Sequence, residues 1–170
     1  DFDPDQVIRL IDQNFGSFQT KPVSPYNGPI EQPLSGVKRL DVMGPEAEFV
    51  NIAFRVPGVA HQDIPAIEMI DYLLSNSTAG LIDLNLVKQQ KVLDAYGYTM
   101  INKDYGVYML GGSPKEGQRL EDVETMLLAQ LNMIKKGEFD PSLVAAVVND
   151  MEIQQMRQFE SNRGRTGGYI

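Results

Sequence analysis

Residues 93–110 read LDAYGYTMINKDYGVYML, and their pattern decides the fold. Tyr96, Tyr98 and Met100 recur at every second position, the period of a strand with two unlike faces. Asn102-Lys103-Asp104 is a turn signal, and a second strand-like run follows over 105–110. The stretch therefore predicts a β-hairpin with arms 93–101 and 105–110. Gly111-Gly112-Ser113-Pro114 is expected to lead the chain out, with the glycine pair supplying unusual backbone angles at the strand exit.

Working outward, the next periodic run is helical. Leu120, Val123, Leu127, Leu131 and Ile134 fall on one helix face, and Gly137 closes it. Phe139-Asp140-Pro141 then opens another helix, with Asp140 as cap and Pro141 at the first position. Val144, Val147, Val148 and Met151 form its expected buried stripe, and it is expected to run to about residue 160. Upstream of the hairpin, a helix is expected over 80–90, and Asp63 is expected to cap one carrying Ile67, Ile70, Leu73 and Leu74. Val50, Ile52, Phe54 and Val56 alternate with Asn51, Ala53 and Arg55, a half-buried strand, and a weaker strand is expected over 37–42. Phe2-Asp3-Pro4 starts the first helix as Phe139-Asp140-Pro141 starts the last. Residues 17–36 hold Pro22, Pro25, Pro29 and Pro33 and read as an internal linker.

Four or five strands and five helices, in runs rather than strict alternation, define an α+β class. The expected architecture has two layers: a mostly antiparallel or mixed sheet with helices packed on one face. The length of 170 residues suits one domain over 1–170. An opening at Asp1 without Met and an apolar end at Tyr169-Ile170 read as a domain cut from a longer polypeptide.

Composition narrows the function classes. The net charge of -8 offers no basic face for nucleic acid. No apolar run approaches the roughly 20 residues of a membrane span. The chain has no Cys, which removes disulfides, thiolate metal sites and cysteine nucleophiles, and suits reducing and oxidising compartments alike. His61 is the single histidine, so no motif needing two, such as His-x-x-Glu-His, is present. A lone His in a loop before a helix reads as surface or cap structure. The carboxylates Glu152, Glu160 and Glu121-Asp122-Glu124 read as solvated helix faces. Tyr96, Tyr98, Tyr105 and Tyr108 have two readings. They are cross-strand aromatic pairs that stabilise the hairpin, or they line a peptide or domain contact.

The joints of these elements carry a resemblance. Asp1-Phe2-Asp3-Pro4-Asp5 running to Asn14-Phe15-Gly16 resembles the G-D-hydrophobic-D-P … K-Y-F-G segment of the pitrilysin/insulinase family of zinc metallopeptidases. Ile52-Ala53-Phe54-Arg55-Val56-Pro57 followed by His61-Gln62-Asp63-Ile64-Pro65-Ala66 is similar to that family's strand and H-x-D-x-P-A-L helix start. Residues 81–86, Lys135-Lys136-Gly137-Glu138-Phe139 and Glu160-Ser161-Asn162-Arg163 also fall at matching joints.

The resemblance implies the non-catalytic C-terminal domain of one family lobe, with no catalytic, cofactor or metal residue of its own. Zinc is then expected in the preceding domain of the parent, and the implied partners are that zinc-binding domain and a peptide substrate. Where the far lobe of active members carries Arg and Tyr for peptide contact, this chain has Val87 and Asp94. That departure favours the near lobe or a scaffold role. A structural domain of a catalytically dead member, or a peptide-binding module, are the alternatives.

Overall fold

The alternation at residues 50–56 becomes β1 (Val50–Pro57). The hairpin forms β2 (Asp94–Ile101) and β3 (Tyr105–Ser113). β3 is central, giving the order β1-β3-β2 with both pairings antiparallel. Register fixes two faces, because paired residues share a side. Phe54, Tyr108 and Thr99 lie across from one another on the inner face, and Ala53, Met109 and Tyr98 on the outer. The computed structural model describes residues 2–168 apart from Asn27, Pro29 and Glu31. Expectations that touch Asp1, Pro29, Tyr169 or Ile170 lie outside the described residues.

Five α-helices accompany the sheet among the described residues: α1 (Pro4–Phe15), α2 (Ile64–Leu74), α3 (Leu120–Lys136), α4 (Ser142–Glu160) and α5 (Asn162–Gly168). Their ends follow from local chemistry. Asp3 Oδ1 accepts from the amides of Asp5 at 2.9 Å and Gln6 at 3.3 Å, which fixes the start of α1. Ahead of α4, Asp140 Oδ1 accepts from Ser142 N at 2.9 Å, while Pro141 takes the N-cap position and the helix begins at Ser142. Gly137 takes a left-handed φ of 69° and ends α3, with Glu138 N donating back to Met133 O at 2.9 Å.

The described residues group into two units, one ending at Met43 and one beginning at Gly44. The first holds α1 and an irregular segment, and within it Phe15 and Phe18 meet edge to face at 5.6 Å. The second holds the sheet, the other four helices and the core. That core joins Leu74 of α2, Leu81, Ile82 and Leu86 of the following turns, Tyr108 and Leu110 of β3, and Val123 and Leu127 of α3. The helices thus cover the inner face of the sheet, in the two-layer α+β arrangement. No helix among the described residues is long and apolar enough to cross a membrane.

Four expectations are corrected. Residues 37–42 form no strand, so the sheet has three strands among the described residues. A few apolar residues do not make a strand when no neighbour pairs with them. The helix expected over 80–90 is a single turn that widens into a π-turn (Asp83–Val87), with Lys88 N reaching Asp83 O and Lys91 N reaching Leu86 O, both at 2.9 Å. The stripe of α4 is narrower than its periodicity suggests: Val147 is buried, whereas Val144 and Val148 are exposed. Asp63 makes no side-chain cap on α2; its own amide donates to His61 Nδ1 at 3.2 Å.

Candidate functional site: the outer face of the sheet

Within the second unit the helices lie on one side of the sheet, and the other side is open. Its outward residues come from alternate positions of three strands: Asn51, Ala53 and Arg55; Val107, Met109 and Gly111; Tyr96, Tyr98 and Met100. Tyr96 does not stand up from the sheet. Its ring lies across Gly111 of β3, and its Oη reaches Asn51 Oδ1 on β1 at 3.1 Å, so one side chain spans all three strands. Tyr98 stacks beside it, with centroids 6.2 Å apart, and its Oη meets Met109 Sδ at 3.1 Å. At the far end, Arg55 lies over the Tyr105 ring at 5.7 Å. The result is a flat Tyr/Met surface whose charged side chains among the strand residues are Arg55 and Asp94. Methionine and tyrosine adapt to varied apolar groups and retain a polar tip.

The four candidate tyrosines divide three to one. Tyr96, Tyr98 and Tyr105 are 36%, 40% and 38% exposed on the outer face, whereas Tyr108 is 5% exposed on the inner face. Tyr108 is therefore core and is removed from the contact surface. Parity along the strand carries that signal: residues 105 and 108 are an odd number apart and point to opposite faces. Burial pushes the Tyr108 phenol far above its usual pKa, and the nearby Asp71 charge adds to the effect. Asp71 itself is raised by burial, against the opposing effect of its hydrogen bonds to Thr99. No local sequence pattern marks the Asp71–Thr99–Tyr108 group, whose residues come from α2, β2 and β3.

The glycine pair also has a different cause from the one expected. Gly111 and Gly112 lie inside β3, paired on both sides, and neither has a positive φ. A Cβ at Gly111 would strike the Tyr96 ring; a Cβ at Gly112 would meet Val123 Cγ1 at 2.8 Å and Asp94 O at 3.2 Å. One glycine lets a ring lie flat outside, and the other lets α3 approach inside. Gly111→Ala should be absorbed by a swing of the exposed Tyr96 ring. Gly112→Ala presses on a fully buried valine, and overpacking of that kind costs about 1–3 kcal/mol. Thermal unfolding of the two variants should show the larger loss for Gly112→Ala; equal losses would contradict the two-face assignment.

The remaining candidates are separate from this face and from one another. His61 is exposed and its Nδ1 accepts the Asp63 amide. Glu121 pairs with Arg119 at 3.4 Å in the first turn of α3. Val87 ends the π-turn and packs half-buried against the core, and Asp94 starts β2 on the surface. Among the described residues no three His, Cys, Asp or Glu side chains are placed to hold a metal ion.

A two-layer α+β domain with an open sheet face is thus the class of protein. The pattern of the peptidase M16 inactive domain matches residues 1–151, and the chain belongs to that family. Among curated proteins it is similar to the zinc protease PqqE of Helicobacter pylori (strain ATCC 700392 / 26695), 26% identical over 122 residues. That match covers 70% of this chain and 26% of the relative, so the chain spans about a quarter of that protein. Among solved structures, a protease from Helicobacter pylori superposes with a TM-score of 0.77 at 19% identity, over 98% of this chain and 42% of that one. The inactive peptidase domain from Bordetella parapertussis gives a TM-score of 0.60 at 15% identity, over 72% of this chain and 66% of that one. These two likenesses are of fold.

Proposed function

We propose that this domain is a non-catalytic part of a zinc-dependent peptidase. It packs beside a zinc-bearing domain of the same polypeptide or subunit, and its open sheet face forms one wall of the chamber that receives peptides. The observation that carries this reading is the outer face itself, where three half-exposed tyrosines and two methionines leave a flat surface with little charge. Family membership supports it, since the matched family is the inactive domain of a peptidase. The two units are taken as one domain with 17–36 as an internal linker; a family match running through both of them supports that. The water-activating metal belongs to the partner domain, and this chain contributes shape and apolar contact.

A quenched fluorogenic peptide tests the reading. Silence is expected from this chain alone, and chelator-sensitive cleavage when it is combined with the zinc-bearing segment of its parent. Cleavage by this chain alone, or by the zinc segment alone at the full rate, would overturn it. In the assembled peptidase, Tyr96→Ala with Tyr98→Ala is expected to lower kcat/KM about tenfold, roughly the loss of one buried aromatic contact. An unchanged kcat/KM would remove the tyrosine face from the peptide path.

A further inference from the structure

Edge strands are exposed templates for pairing with another chain, and folded proteins close them with specific devices. β2 is an edge strand here, paired with β3 on one side. In an antiparallel ladder, successive residues direct their amide groups alternately toward and away from the partner. The Thr99 amide points away from β3 and donates to Asp71 Oδ2 at 3.1 Å. The Thr99 hydroxyl donates to the same oxygen. α2 thus sets a carboxylate oxygen near the middle of the β2 edge, where the carbonyl of an added strand would lie.

We propose that Asp71 guards this edge: it occupies the amide that a strand from a second copy of this chain would need, and so keeps β2 from pairing edge to edge. A carboxylate suits the task, since a charged acceptor binds amide and hydroxyl donors about twice as strongly as a neutral one. The choice has a cost that a purely stabilising residue would avoid. Asp71 Oδ1 is buried without a hydrogen-bond partner, and so is the Oη of nearby Tyr108. The side chain is retained where its second oxygen is unsatisfied, and the benefit it returns is a closed edge. The guard is local: by the same alternation Gly97 and Ile101 also direct their amides outward, and they flank the occupied position.

Amide hydrogen exchange read by NMR, together with solution mass, tests this. In the unmodified chain the Thr99 amide is expected to exchange about 100-fold more slowly than those of Gly97 and Ile101, as a bonded amide does beside open ones. Asp71→Ala should remove that protection and shift the chain from monomer to dimer as concentration rises. Asp71→Asn keeps an acceptor oxygen and should remain protected and monomeric. Exchange at Thr99 as fast as at its two neighbours, or a folded Asp71→Ala chain that stays monomeric, would overturn the proposal. Should Asp71→Ala fail to fold, Asp71→Ser, too short to reach Thr99, takes its place, and the exchange of the unmodified chain decides by itself.

Discussion

Leu110→Ala is expected to destabilise the fold by about 2–5 kcal/mol, the range for truncating a fully buried leucine. Leu110 lies on the central strand with Ile52 on one side and Gly97 on the other, and no part of it reaches solvent. It belongs to the cluster that joins the sheet to α3 through Val123 and Leu127. Its removal leaves a cavity between layers that cannot close without moving a helix. Folded domains have only about 5–15 kcal/mol in hand, so a loss of this size changes the folded fraction under mild denaturant. The control is one residue away. Met109 points outward on the same strand, and Met109→Ala should cost less than about 1 kcal/mol, as substitutions outside the core usually do. Urea unfolding followed by circular dichroism separates the two. Similar losses would mean that the outer face is packed as tightly as the inner one, and the open-face reading would fail.

That contrast also shows how much was legible in the sequence. The hairpin, the strand at 50–57, the long helix closed by Gly137 and the Asp3-capped start of α1 follow from period and local capping chemistry, and each forms where it was expected; α4 starts one residue later than expected, with Pro141 rather than Asp140 at its N-cap. Family-level resemblance was legible too, because it rests on residues at the joints between elements. What failed was everything that depends on a distant neighbour. Residues 37–42 hold Val37, Leu40 and Val42 and gain no pairing. Val144 and Val148 have the right spacing and stay exposed, because only the side of α4 around Val147 meets the core. Gly111 and Gly112 looked like a backbone requirement. They are a packing requirement set by Tyr96 from β2 and Val123 from α3. The outer face was half legible: alternation grouped Tyr96 with Tyr98, but pooling Tyr105 with Tyr108 ignored the parity of their own strand. The Asp71 edge contact had no local signature at all.

Asp71 carries the second large expectation, and its sign can be worked out. Burial raises its folded pKa above the ordinary aspartate value, more than the Thr99 hydrogen bonds lower it. The folded state therefore holds this proton more tightly than the unfolded chain. Its contribution is fully present below the unfolded pKa, near 3.8, and is lost as pH rises from there through the raised folded value. Asp140 works the other way. The Ser142 amide and hydroxyl hold its pKa below the ordinary value, so its contribution is present above about 3.8 and lost as pH falls through the folded value. Asp71→Asn removes the first dependence and leaves the second. It keeps an oxygen for Thr99 and brings an amide donor toward the region of Tyr108 Oη, so at pH 7 it should be at least as stable as the unmodified chain. Asp71→Ala offers neither and should cost about 1–3 kcal/mol, the penalty for a donor left without its partner. Measured by denaturant unfolding between pH 7 and pH 4, the unmodified chain should gain on Asp71→Asn as the pH falls. A constant difference would mean that the Asp71 carboxylate titrates as it does in the unfolded chain, and its burial would then have no electrostatic consequence. A difference that widens in favour of Asp71→Asn as pH falls would mean that the Thr99 hydrogen bonds outweigh burial. In that case the ionised carboxylate itself stabilises the fold at neutral pH, and the edge contact carries no cost of the kind inferred for it.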